Sequence, residues 1–146
     1  FELGAPQDLS RPFYLDYHYR LPDYAVAAGP YRILQFPERE LEFPELSLET
    51  RRYPLAYRTT EGVRRRAEVE LAPSLTAVEL PADYERAGRH LHYRESFRQI
   101  GNTIVFTSEY VRKSREIPAA DYAAYRADAL AIAEASQQPV YLQVSP

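Results

Sequence analysis

His90 and His92 stand two residues apart, the spacing that puts two imidazoles on one face of a strand. Such a pair can hold a divalent metal if a third ligand joins it, and Glu79, Glu95 and Asp83 are the nearby carboxylates. None of these acids has a fixed spacing to the pair, so two surface imidazoles on a wet strand face is the reading adopted, with no metal and no cofactor expected. Arg64-Arg65-Arg66, with Arg51-Arg52 upstream and Tyr53 and Tyr57 between, combines basic and aromatic groups as single-stranded nucleic-acid binders do. Glu61, Glu68 and Glu70 answer those charges locally, and the chain carries a net charge of -3, so no nucleic-acid partner is expected. Ser96, Ser108 and Ser114 supply hydroxyls, but no Gly-x-Ser-x-Gly elbow is present and no Ser–His–Asp set can be read from scattered positions. Asp and Glu are plentiful, yet nothing singles out a pair spaced for glycoside cleavage. The chain has no cysteine, hence no disulfide, no thiolate ligand and no thiol nucleophile. No catalytic residue is therefore assigned, and Arg52, Tyr53, His90, His92 and Tyr93 stand as candidate binding residues.

Composition frames what can position these groups. At 146 residues, 45% hydrophobic and 13% aromatic, the chain is long enough to bury its own core. Thirteen Tyr and six Phe suit pleated surfaces, and twelve Pro break the chain into short pieces. No apolar run approaches the roughly 20 residues of a membrane helix, so no span is expected within the chain. The sequence begins Phe1-Glu2-Leu3 without methionine, which suggests a piece of a longer protein.

Residues 1–11, with Gly4, Pro6 and Asp8, read as a lead-in or linker, and 12–146 as one domain. Alternation predicts strands over 12–21, 63–71 and 76–80, and two short apolar pieces divided by Gly29-Pro30. The acidic segment 37–49 reads as an irregular crossing with one edge strand near Leu46, and 52–58 as a strand placed at an edge by Pro54. Residues 90–99 and 103–115 form the clearest hairpin, turning at Gly101-Asn102. Leu91, Tyr93 and Phe97 line one face of it, matched by Ile104, Phe106 and Tyr110. Pro118 suits the first turn of a helix near 119–136, whose stripe is Tyr122, Tyr125, Ala129 and Ile132, flanked by Leu130 and Ala133. Arg126 and Asp128 should face away, and Val140, Leu142 and Val144 should form a closing strand. The fold class is mainly β: an antiparallel β-sandwich with one C-terminal helix packed on it.

The order of motifs carries a resemblance. Arg51-Arg52-Tyr53-Pro54-Leu55 is followed by Glu79-Leu80-Pro81 with Tyr84, then the Gly101-Asn102 hairpin, Ile117-Pro118, and Tyr122 with Arg126. This progression resembles the C-terminal β-domain of bacterial transglutaminase-like proteins bearing the domain of unknown function 3857, over roughly 37–142. The resemblance implies an exported, periplasmic or extracytoplasmic parent whose Cys–His–Asp chemistry lies in a central papain-like domain. No catalytic residue of that domain maps here, and Ala82-Asp83 replaces the family's usual glycine turn. The expected role is a non-catalytic accessory domain that positions the core or binds an envelope protein or glycan. The alternative is an independent carbohydrate-binding or carbohydrate-active domain using a Tyr/Arg/His face; a third reading is an interaction module that recruits partners through a sheet edge.

Overall fold

The computed structural model describes residues 2–3, 15–16, 20, 22, 24–37 and 39–144. Alternation over residues 61–70, 91–100 and 103–112 produces the three long strands β6 (Glu61–Glu70), β9 (Leu91–Ile100) and β10 (Thr103–Arg112). β9 and β10 pair antiparallel across the Gly101-Asn102 turn, where Gly101 takes φ +62°, a conformation that costs other residues a Cβ clash. β6 flanks β10, and β8 (Tyr84–Ala87) flanks β9, giving a first sheet of order β6-β10-β9-β8. The second sheet joins β3 (Val26–Ala28), β4 (Tyr31–Leu34), β12 (Val140–Val144) and β7 (Leu75–Glu79) in the order β3-β4-β12-β7. Its centre is thus the last strand of the chain, which slots between β4 and β7.

Leu91, Tyr93, Glu95 and Phe97 of β9 face inward, and the apolar ones among them meet two different partners. Phe97, with Ile104 and Phe106 of β10, packs on Leu34, Phe36, Val140 and Leu142 of the second sheet side. Phe97 and Phe106 lie 5.0 Å apart and Phe36 meets Phe97 edge-on at 5.5 Å. Leu91 and Tyr93, with Tyr110, instead pack on the helix α1 (Tyr122–Ser136) through Tyr122, Tyr125, Ala129 and Ile132. One sheet face therefore serves a sandwich at one end and a helix at the other, as an antiparallel sandwich carrying a C-terminal helix requires.

Several expectations shift. The helix starts at Tyr122 rather than 119: Glu116–Ile117 is used as a short strand (β11) on Leu55–Ala56 (β5), and 118–121 form a turn closed by Asp121 N–H to Pro118 C=O at 2.9 Å. The strand expected over 52–58 accordingly shrinks to β5. No strand forms near Leu46; Pro44–Leu46 is a single 3-10 turn that plugs Leu46 into the helix core. Arg126 and Asp128 do not face away: Arg126 donates to Leu46 C=O at 3.0 Å and Asp128 accepts from Arg86 of β8. Leu130 is exposed, at the rim of the stripe. Of the strand expected over 12–21, Leu15–Asp16 (β2) is paired antiparallel with Glu2–Leu3 (β1) inside the expected lead-in, and Arg20 is exposed and outside any strand; the rest of both segments lies outside the described residues.

Candidate functional site

His90 sits one residue before β9 and Ser114 two residues after β10, so the hairpin ladder brings them together; Lys113 N–H bonds His90 C=O at 2.8 Å to extend it. His90 Nδ1 lies 2.9 Å from Ser114 Oγ, and Nε2 lies 2.8 Å from an oxygen of Asp121 at the helix N-terminus. With the carboxylate accepting from Nε2–H, Nδ1 accepts the serine hydroxyl proton. A hydroxyl, an imidazole and a carboxylate in series are the parts of an acyl-transfer triad. Here the order on the ring is reversed: the template places serine at Nε2 and the carboxylate at Nδ1. Asp121 is also shared with Arg89 at 2.9 Å, and His90 is only 8% exposed, with the Tyr125 ring edge-on at 6.4 Å. Each polar atom of the ring is thus occupied in tying the hairpin ends to the start of α1.

His92 answers to a different group. Because β9 begins at Leu91 after a bend at Arg89-His90, the two histidines do not share a face: His92 lies opposite the buried side of β9 and meets Glu85 of β8 at 3.0 Å. Among the described residues, no group of three His, Asp or Glu is disposed to hold a metal. Glu95, one of the acids near the histidine pair, is turned inward and bound to Arg39. Arg39 Nε and Nη2 meet the two Glu95 oxygens at 2.9 and 2.5 Å, and Tyr93 donates its hydroxyl to Glu95 at 2.6 Å. The same guanidinium donates to Ala135 and Gln138 C=O at the end of α1 and covers the Phe97 ring at 4.8 Å. Tyr93, named as a binding candidate, is therefore fully buried, its hydroxyl pushed well above the ordinary tyrosine range by burial and by the Glu95 carboxylate.

Arg52 and Tyr53 stay on the surface in the loop before β5, with Arg52 5.7 Å over the Tyr53 ring. Their neighbours are drawn into packing. Arg51 covers Tyr122 at 5.1 Å and donates to Glu45 C=O, while Tyr57 donates to the Glu45 carboxylate at 2.7 Å and shares a 2.9 Å hydrogen bond with Tyr125. The Arg112 guanidinium stacks on Tyr57 at 3.8 Å. The basic and aromatic set of the sequence is thus divided among a surface loop, a packed interior and strand β6.

A depression of about 770 Å³ crosses the first sheet, with Arg64, Tyr84, Arg94, Ser96, Thr107 and Glu109 among its lining. At its middle, Glu109 lies between Arg64 at 2.8 Å and Arg94 at 2.6 Å, which hold its carboxyl below the usual carboxylate range, Arg64 foremost. Ser96 and Thr107 share a 2.9 Å hydrogen bond beside it. The depression can accept a small polar ligand, but only by breaking into ion pairs already made.

Sequence reasoning named Ser114 only as one of three hydroxyls and assigned neither Arg39 nor Asp121 to a site. One signal was available: Glu95 falls on the apolar parity of β9, and a carboxylate there must find a cation.

Among the described residues, no helix is long and apolar enough to cross a membrane. No curated protein matches the chain. Its fold is similar to part of a crystal structure of a "putative protease" from Parabacteroides distasonis, with a TM-score of 0.65 and 11% identity over 81% of this chain. The chain spans 24% of that protein's length, and at this identity the likeness is one of fold. The family model described as a domain of unknown function with solved structure, DUF3858, matches residues 31–142, from β4 through the helix to β12. The chain belongs to that DUF3858 family.

Proposed function

We propose that this chain is a non-catalytic accessory β-domain of a longer, exported transglutaminase-like protein, packing against or positioning a papain-like core that carries the cysteine. The observation that carries this reading is the fold correspondence with 24% of the length of a protein described as a "putative protease". The chain's own chemistry supports it: His90, Tyr93, Glu95 and Ser114 are each hydrogen-bonded in ways that join elements of the fold. A domain whose reactive groups are spent on its own cohesion contributes a surface and a fixed orientation. Transglutaminase-like chemistry, the companion domain 3857 and a periplasmic location are what the resemblance carried by the motif order implies. The reading frame of the parent tests the proposal. A cysteine-bearing core upstream, alkylated by iodoacetamide with loss of activity, is the expected result; a parent without such a core overturns it.

The depression around Glu109 favours one second reading, an independent glycan-binding domain. Titration of the isolated chain with peptidoglycan fragments and neutral oligosaccharides separates the two: binding lost in Glu109→Ala supports the glycan reading, and no binding removes it.

A further inference from the structure

We propose that the edge of β6 left unpaired among the described residues is a homodimer interface, joining the first sheets of two copies into one continuous sheet. The inference does not rest on the accessory reading. β6 lies at the end of the order β6-β10-β9-β8, and among the described residues it pairs only with β10. It is a ten-residue strand, and a long edge with unpaired N–H and C=O groups is a template for another strand. Charges on such an edge ordinarily repel a second strand. On β6 their order does the opposite.

The segment reads Arg64-Arg65-Arg66-Ala67-Glu68-Val69-Glu70, and residues 64, 66, 68 and 70 are exposed. The basic side chains of the outward row precede Ala67 and the acidic ones follow it. An antiparallel pair of two such strands centred on Ala67 sets Arg64 opposite Glu70 and Arg66 opposite Glu68, and the two-fold axis repeats each pairing. Every directly opposed outward pair is then between opposite charges, which is attractive, whereas a parallel in-register pair opposes like to like. On the inward row the same register places Arg65 beside Val69 and Ala67 beside Ala67, small enough for the strands to close. An isologous contact of this kind is self-limiting, because the paired edge is used up. A single strand pair is a small interface, so the dimer is expected to be weak.

Sedimentation of the whole chain tests this. The expected result is monomer near about 1 µM and dimer at concentrations of about 100 µM and above, weakened by salt. The variant R64E/R66E makes the outward row wholly acidic and E68R/E70R makes it wholly basic; each alone should stay monomeric, and an equimolar mixture should dimerise. Wild-type chain that remains monomeric at about 1 mM overturns the proposal. So does a dimer that survives both reversals, or a mixture that does not associate. Because the chain has no cysteine, single cysteines report the register without any charge reversal. Arg66→Cys mixed with Glu68→Cys should form a disulfide at least tenfold faster than either variant alone, since directly opposed Cα atoms fall within bridging distance. Equal rates contradict the register.

Discussion

Removing the Arg39 guanidinium should be the most damaging single change in this domain. Arg39 is 2% exposed and Glu95 is 4% exposed, and their two-pronged contact lies where the sheet-on-sheet core gives way to the sheet-on-helix core. Arg39→Met keeps an apolar side chain of similar length but deletes every side-chain donor and the guanidinium that lies over Phe97. Glu95 then keeps only the Tyr93 hydroxyl, and the Ala135 and Gln138 carbonyls at the helix end lose the guanidinium donor. Breaking a buried pair from one side costs about 3–5 kcal/mol, because a charge is left desolvated and unpaired. Against a typical total of about 5–15 kcal/mol, that is a large fraction of the stability. At roughly 4 °C per kcal/mol for a domain near this size, the melting temperature should fall by about 12–20 °C. Glu95→Gln should cost less, about 1–2 kcal/mol, since the guanidinium still faces a carbonyl oxygen and the negative end of α1. The double variant R39M/E95L removes both charges and should recover at least half of the single-variant loss. Urea unfolding at 25 °C followed by circular dichroism measures all three. An Arg39→Met loss below about 1 kcal/mol, or strict additivity in the double variant, refutes the reasoning.

Three further outcomes are expected. A Cβ at Gly88 would run into the Asp128 carboxylate, so Gly88→Ala should cost about 1 kcal/mol by pushing Asp128 off Arg86. In an Asp128→Ala background the same change should cost little, and a double-variant cycle in urea checks the coupling. Tyr57→Phe gives up bonds to both Glu45 and Tyr125 and should lose about 1–2 kcal/mol, whereas Tyr125→Phe, which leaves the Tyr57–Glu45 bond, should lose less; their unfolding midpoints decide. Tyr57, Tyr93, Tyr110 and Tyr125 are all raised in the folded state, burial being the main cause in each. A folded value above the unfolded value of about 10 means that these groups contribute stability fully below that pH and progressively lose it above. Tyrosinate absorbance at alkaline pH should thus step up together with loss of circular dichroism, and a smooth titration of every tyrosine with structure retained would contradict their burial.

The strands were legible where alternation was strong. On β9 and β10 the inward set Leu91, Tyr93, Phe97, Ile104, Phe106 and Tyr110 is buried as the period-two pattern requires. The helix stripe was legible for the same reason, its start less so: Pro118 is compatible with a first helical turn, but Ile117 is more deeply used as a strand residue against Leu55. Segment 37–49 has no period at all, so neither the 3-10 turn nor the role of Arg39 could be read from it. The Ser114–His90–Asp121 array joins residues 24 and 31 positions apart and depends on where the hairpin ends and the helix begins. Spacing in the sequence fixes neither boundary. His92 shows the converse error, since a shared parity with His90 means a shared face only if both lie within one strand.

The claim at the centre of this account is that the side chains able to do chemistry hold the fold together instead. Ser114, with its imidazole and carboxylate in series, is the sharpest point at which to test it. The isolated chain treated with a fluorophosphonate probe and analysed by mass spectrometry should carry no label, and should not cleave activated esters above the buffer rate. His90→Ala should lower the unfolding midpoint without touching any activity. Stoichiometric labelling of Ser114 that disappears in His90→Ala would contradict the account.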